Sequence, residues 1–122
     1  MILNSEDSKP IYVQIAEWLE TEILSGNFQV DDKVYSQYQL AEMFTINPAT
    51  AAKGLNLLAE DGILYKRRGL GMFVADQARE RILQKRKEQT LKKLVADLVQ
   101  EAERLDVGEA ELISIIQNAR GK

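Results

Sequence analysis

At 122 residues the chain has room for one full domain, or a small domain with an appendage. Its 45% hydrophobic and 29% charged residues make it too apolar for a disordered chain. It has no cysteine and no histidine, which excludes a disulfide, a Cys/His metal site, a nucleophilic cysteine and a histidine general base, while a net charge of −3 and a pI near 5.1 weigh against a nucleic-acid partner only as a total.

The first residues, Met1-Ile2-Leu3-Asn4-Ser5-Glu6-Asp7, lack the basic and apolar regions of a signal peptide. No apolar run approaches the roughly 20 residues that span a bilayer. The expected location is the cytoplasm, with no membrane partner. A first helix is expected over residues 10–25: Ile11, Ile15, Leu19 and Ile23 recur every four residues, Pro10 suits the first turn and Gly26 a stop. Residues 27–35 read as a polar turn around Asp31-Asp32-Lys33. Ser36 and Gln39 have the spacing of a capping box, so a short second helix starts at Ser36, with Leu40, Ala41 and Phe44 on its apolar side. Thr45-Ile46-Asn47-Pro48 breaks it. Asn47 is a good N-cap and Pro48 a good first residue, so a third helix follows to Asp61, its inward face Ala51, Leu55, Leu58 and Ala59, and Gly62 ends it.

Ile63-Leu64-Tyr65-Lys66 and Met72-Phe73-Val74 are strand-like runs around Arg67-Arg68-Gly69-Leu70-Gly71, the pattern of a hairpin. Beyond Asp76, glycine and proline vanish until Gly108, and one long helix is expected over residues 77–105. Its middle, residues 84–90, is wholly polar. Leu91, Leu94, Val95, Leu98, Ala102 and Leu105 then form one apolar stripe. A last helix over residues 109–119 carries Leu112, Ile113, Ile115 and Ile116. The expected fold is mainly α with a small β-hairpin: an N-terminal winged helix-turn-helix over residues 1–75 and a two-helix dimerisation region over residues 76–122.

Two helices joined by a short turn, the second opening on a capped Asn-Pro, fit a helix-turn-helix, whose second helix enters the major groove by its N-terminal residues. Here these are Asn47, Ala49, Thr50 and Lys53. Asn47 and Thr50 can donate to phosphate oxygens and Lys53 can neutralise one, while small Ala49 permits close approach. Taken singly, Asn47 reads equally as a cap and Lys53 as a solvated charge. The hairpin adds Lys66, Arg67 and Arg68 beside Gly69 and Gly71, a basic tip able to reach a neighbouring groove. Gly69-x-Gly71 is no nucleotide-binding loop, lacking a third glycine and a following helix.

Five stretches, in order and at the right spacing, resemble the N-terminal domain of the GntR family of bacterial transcription regulators, and Asn47-Pro48-Ala49-Thr50 with the short two-helix C-terminus resembles its YtrA type. The five are Ile11-Tyr12-Val13-Gln14-Ile15, Glu22-Ile23-Leu24-Ser25-Gly26, Gln39-Leu40-Ala41, Ile46-Asn47-Pro48-Ala49-Thr50 and Arg67-Arg68-Gly69-Leu70-Gly71-Met72-Phe73-Val74. The resemblance implies a winged helix that binds a pseudo-palindromic operator as a homodimer, usually as a repressor. The family has Leu-Pro-Ser-Glu-Arg at the start of the second helix, its arginine on a DNA phosphate. This chain has Val34-Tyr35-Ser36-Gln37-Tyr38, which keeps the cap at Ser36 and puts a tyrosine hydroxyl in place of the charge.

The C-terminal helices cannot bury their stripes against each other alone. Leu91, Leu94, Val95, Leu98 and Leu105, with Leu112, Ile115 and Ile116, are therefore expected to meet a second copy, the alternative being docking on the first domain. Two short helices leave little room for an effector pocket, and nothing identifies a small-molecule effector. No cofactor or metal is expected. No pair of carboxylates is set as acid and base, so an enzyme is not expected. An alternative to DNA binding is a winged-helix interaction module, an anti-repressor or adaptor, motivated by Tyr35 and Tyr38. The charge divides unevenly: residues 1–75 carry −4, yet residues 46–75 carry +2 and residues 79–93 carry +5. The basic run from Arg79 to Lys93 can face DNA or simply be a solvated helix face.

Overall fold

The computed structural model describes Leu3 and residues 8–121. Helix α1 spans Ile11–Leu24, α2 Gln37–Phe44 and α3 Pro48–Glu60. Strand β1 (Leu64–Arg67) and strand β2 (Gly71–Val74) form an antiparallel hairpin with Leu64 opposite Val74 and Arg67 opposite Gly71. Helix α4 (Ala78–Lys85), a π-helical stretch (Arg86–Leu91), α5 (Lys92–Arg104) and α6 (Glu109–Arg120) complete the chain.

Local chemistry fixes the helix ends. The α2 capping box is complete: Ser36 Oγ accepts from the Gln39 N–H at 3.1 Å, and Gln39 Oε1 accepts from the Ser36 N–H at 2.8 Å. At α3, Asn47 Oδ1 accepts from the Ala49 N–H at 2.8 Å, with Pro48 at the first helical position. Helices α1 and α3 end in the same Schellman arrangement. Gly26 and Gly62 take positive φ, and the amides beyond them, Asn27 and Ile63, return to Glu22 and Leu58. The Ile63 amide is thereby spent on the helix exit, while its carbonyl accepts from the Ala75 amide at 2.9 Å, and strand β1 begins one residue later than its apolar run suggests.

The chain forms two compact units, residues 1–84 and residues 85–122. In the first, Ile15, Leu19, Leu40, Leu58, Ile63 and Leu64 are buried together between the three helices and the hairpin. Trp18 meets Phe44 edge to face with centroids 5.1 Å apart and stacks on Tyr35 at 6.0 Å. Residues 31–34 run beside β2: the Asp31 and Val34 amides donate to the Val74 and Met72 carbonyls, and the Val74 amide donates to the Asp32 carbonyl. The polar turn read from the sequence is thus a third edge of the wing. Ala78 and Ile82 of α4 are fully buried in the same core, and Arg79 Nη1 donates to the Leu24 carbonyl at 2.8 Å, closing the end of α1. The winged core therefore continues beyond residue 75 into α4.

In the second unit, α5 turns at Asp106 (φ 56°), where the Val107 amide donates to the Ala102 carbonyl, and α6 starts at Glu109. The uninterrupted α-helix expected over residues 77–105 is instead α-helical at both ends and π-helical in its polar middle. No helix among the described residues is long and apolar enough to cross a membrane.

Candidate nucleic-acid interface

The exposed end of α3 follows from its cap. Asn47 and Ala49 are exposed and Thr50 half-buried, while Ala51, Gly54, Leu55 and Leu58 on the opposite face enter the core. The free amides of the first turn and the helix dipole favour an anion at this end. Lys53, one turn along, is exposed, and its Nζ lies 5.3 Å from the centre of the Tyr12 ring on α1.

The wing is stiffened by its own side chains. Tyr65 stacks on Phe73 with centroids 5.8 Å apart, and the Arg67 guanidinium lies over both rings, 4.9 Å from Phe73 and 5.6 Å from Tyr65. Arg67 is thus held along the hairpin, while Arg68, Gly69 and Leu70 form its exposed tip. The Tyr65 hydroxyl donates to Asp31 Oδ1 at 2.6 Å, which ties the wing to the loop before α2. That hydrogen bond to a carboxylate holds the phenol above its ordinary value of 10.0.

Between wing, α2 and α3 lies a groove of about 360 Å³. Ser36 and Tyr38 line it from α2, Ala52 and Asn56 from α3, and Lys66, Leu70 and Gly71 from the hairpin. Tyr38 is 70% exposed, in the place where the resemblance expects an arginine. Among the lining residues outside the expected contact set, Lys33 is the one that adds a charge read from the sequence only as part of a turn. Gly71 takes φ 119°, a conformation that favours glycine, and the Lys33 side chain passes close over it, with Cε 3.0 Å from where a Cβ would stand. The groove thus gathers Ser36, Tyr38 and Gly71 among the expected contact residues. Asn47, Ala49, Thr50 and Lys53 lie elsewhere on α3, outside its lining, and Arg67, Arg68 and Gly69 lie on the wing.

In the second unit Leu91, Leu94, Val95, Leu98 and Leu105 on α5 and its flanks, with Ile115 and Ile116 on α6, are exposed, and Leu112 is half-buried. Val99 and Ile113, which were not expected there, share this exposure. Among the described residues no group of three or more Asp and Glu side chains is placed to hold a metal ion.

Three comparisons bear on this geometry. Residues 11–74 match the bacterial regulatory proteins of the gntR family. The chain is 38% identical to the HTH-type transcriptional repressor NagR of Bacillus subtilis over 69% of its length, but spans only 35% of that relative. It is 31% identical to the repressor YtrA of the same organism, over 78% of this chain and 75% of YtrA. Among solved structures, the DNA-binding domain of AraR in complex with operator ORX1 superposes with a TM-score of 0.56 at 27% identity, covering 62% of this chain and 93% of that one.

Proposed function

Because this chain belongs to the gntR family of bacterial regulatory proteins, we propose that it is a cytoplasmic, sequence-specific transcription regulator that represses by gripping a pseudo-palindromic operator as a homodimer. The observation that carries the reading is the juxtaposition in one unit of a capped, exposed helix N-terminus at Asn47 with a basic hairpin tip at Arg68. The first turn of α3 reads base edges, the wing meets the adjacent backbone, and phosphate contacts set the register. The α2 hydroxyls of Ser36 and Tyr38 join those phosphate contacts. Repression is carried over from NagR and YtrA, whose names describe repressors.

Self-association is assigned to the second unit, whose exposed Leu94, Leu98, Ile115 and Ile116 would be buried against a second copy. A twofold dimer matches a palindromic site, with half-sites about one helical turn, or a close multiple, apart. Joining two winged units also raises the effective concentration of the second contact.

The test is fluorescence anisotropy on a duplex taken from just upstream of the chain's own gene. Arg68→Ala and Lys53→Ala are expected to weaken binding while the melting temperature stays put. Unchanged affinity in both overturns the site assignment. The exposed Tyr38 and Leu70 favour a second reading, a protein-interaction module. Failure of the wild-type chain to bind any upstream duplex, together with a stable protein partner, would establish that one instead.

A further inference from the structure

The groove between α2, α3 and the wing joins a lysine of the basic hairpin to one that the sequence places in a turn. Two lysines line it, Lys33 and Lys66, and no carboxylate does. Among the described residues neither lysine has an ion-pair partner. The acidic neighbours of Lys33 in sequence are both occupied: Asp31 accepts from the Tyr65 hydroxyl and Asp32 from the Gln29 amide at 2.8 Å. The Lys33 backbone is held by its bridge to Phe73 of β2, and its side chain passes over Gly71. Two lysines thus line a trough whose opposite wall is α3.

We infer that this groove carries one sugar–phosphate strand of the bound duplex, with Lys33 and Lys66 each neutralising one phosphate. The inference rests on the DNA-binding reading above and assigns a charge to the place where Tyr38 supplies none. Tyr38 and Leu70, both exposed at the rim, give the strand apolar surface for its deoxyriboses. Such contacts carry no base information, so they add affinity equally on every sequence.

The experiment titrates the full-length chain onto two duplexes of equal length, one from upstream of its own gene and one of random sequence, across a series of salt concentrations. Lys33→Gln keeps most of the stem over Gly71 and removes the charge, and Lys66→Gln does the same for the other wall. Each is expected to reduce the slope of log affinity against log salt by about 0.9, to weaken both duplexes alike by about eightfold at 0.1 M salt, and to leave the melting temperature unchanged. Lys33→Arg should restore the slope. A slope that stays at the wild-type value while the wild type binds DNA overturns this inference alone. A loss confined to the upstream duplex also overturns it, because it would mean base readout. A wild type that binds neither duplex overturns both this inference and the function it rests on.

Discussion

Truncating Leu94 to alanine tests the proposed dimer. Leu94 is 58% exposed, in the first turn of α5. A whole leucine side chain gains about 1.5–3 kcal/mol on burial, so covering what remains exposed is worth about 1–1.5 kcal/mol. A twofold interface uses the position twice. Leu94→Ala should therefore cost the dimer about 2–3 kcal/mol, raising its dissociation constant about 30- to 150-fold. Because the side chain is mostly exposed in the single chain, its loss leaves little cavity there, and the melting temperature extrapolated to low protein concentration should hardly move. Sedimentation velocity over a concentration series measures the constant, and Leu94→Asp, which buries a charge, should yield monomer throughout. Glu101→Ala, which removes a surface pairing with Arg104, serves as a control with no large effect expected. The reasoning is refuted if the wild type is monomeric at high micromolar concentration, or if Leu94→Ala dimerises as tightly as the wild type.

Three other outcomes are expected. Ser36→Ala removes the α2 cap and should cost about 1 kcal/mol in urea unfolding, with Ser36→Thr retaining most of it. Ile82→Ala should cost about 2–5 kcal/mol, and a fragment ending at residue 75 should be less stable than one ending at residue 84, because Ile82 is fully buried in the winged core. Tyr65 should ionise above 10.0 by tyrosinate absorbance and return toward that value in Asp31→Asn. Because its folded pKa is raised, the protonated phenol supports the fold below about pH 10, and that support is lost as the pH climbs from there through the folded pKa.

The parts legible in the sequence are those set by neighbours in the chain. The Ser36–Gln39 box, the Asn47-Pro48 start and the stops at Gly26 and Gly62 are contacts within a few residues, and all appear as expected. An apolar run does not tell a helix exit from a strand, and Ile63 is both: its amide closes the end of α3 and its carbonyl pairs with Ala75, so the first strand starts one residue after the run does. The boundary expected at residue 75 falls short of the buried Ile82, because the end of the hairpin does not say how far along the next helix the core continues. Lys33 was read as part of a turn, since its position depends on pairing with β2 some forty residues later. The π-helical stretch at Arg86–Leu91 has no composition signal separating it from a polar α-helix. Of the apolar stripe expected over residues 91–105, Leu94, Val95 and Leu98 lie exposed on α5 and Leu91 and Leu105 at its flanks, while Ala102 is buried.

The cap on α3 also constrains what the protein can read. The Asn47 side-chain oxygen spends one lone pair on the Ala49 amide, which fixes the side chain, and leaves its two amide hydrogens for other partners. On the proposed reading Asn47 therefore meets a duplex first as a donor, to a phosphate, to the N7 of a purine, to the O6 of guanine or to the O4 of thymine. The two-point contact with adenine would need the second lone pair of an oxygen whose direction the cap has already set. A strong adenine preference in the proposed operator is thus expected to come from another side chain or from the shape of the DNA.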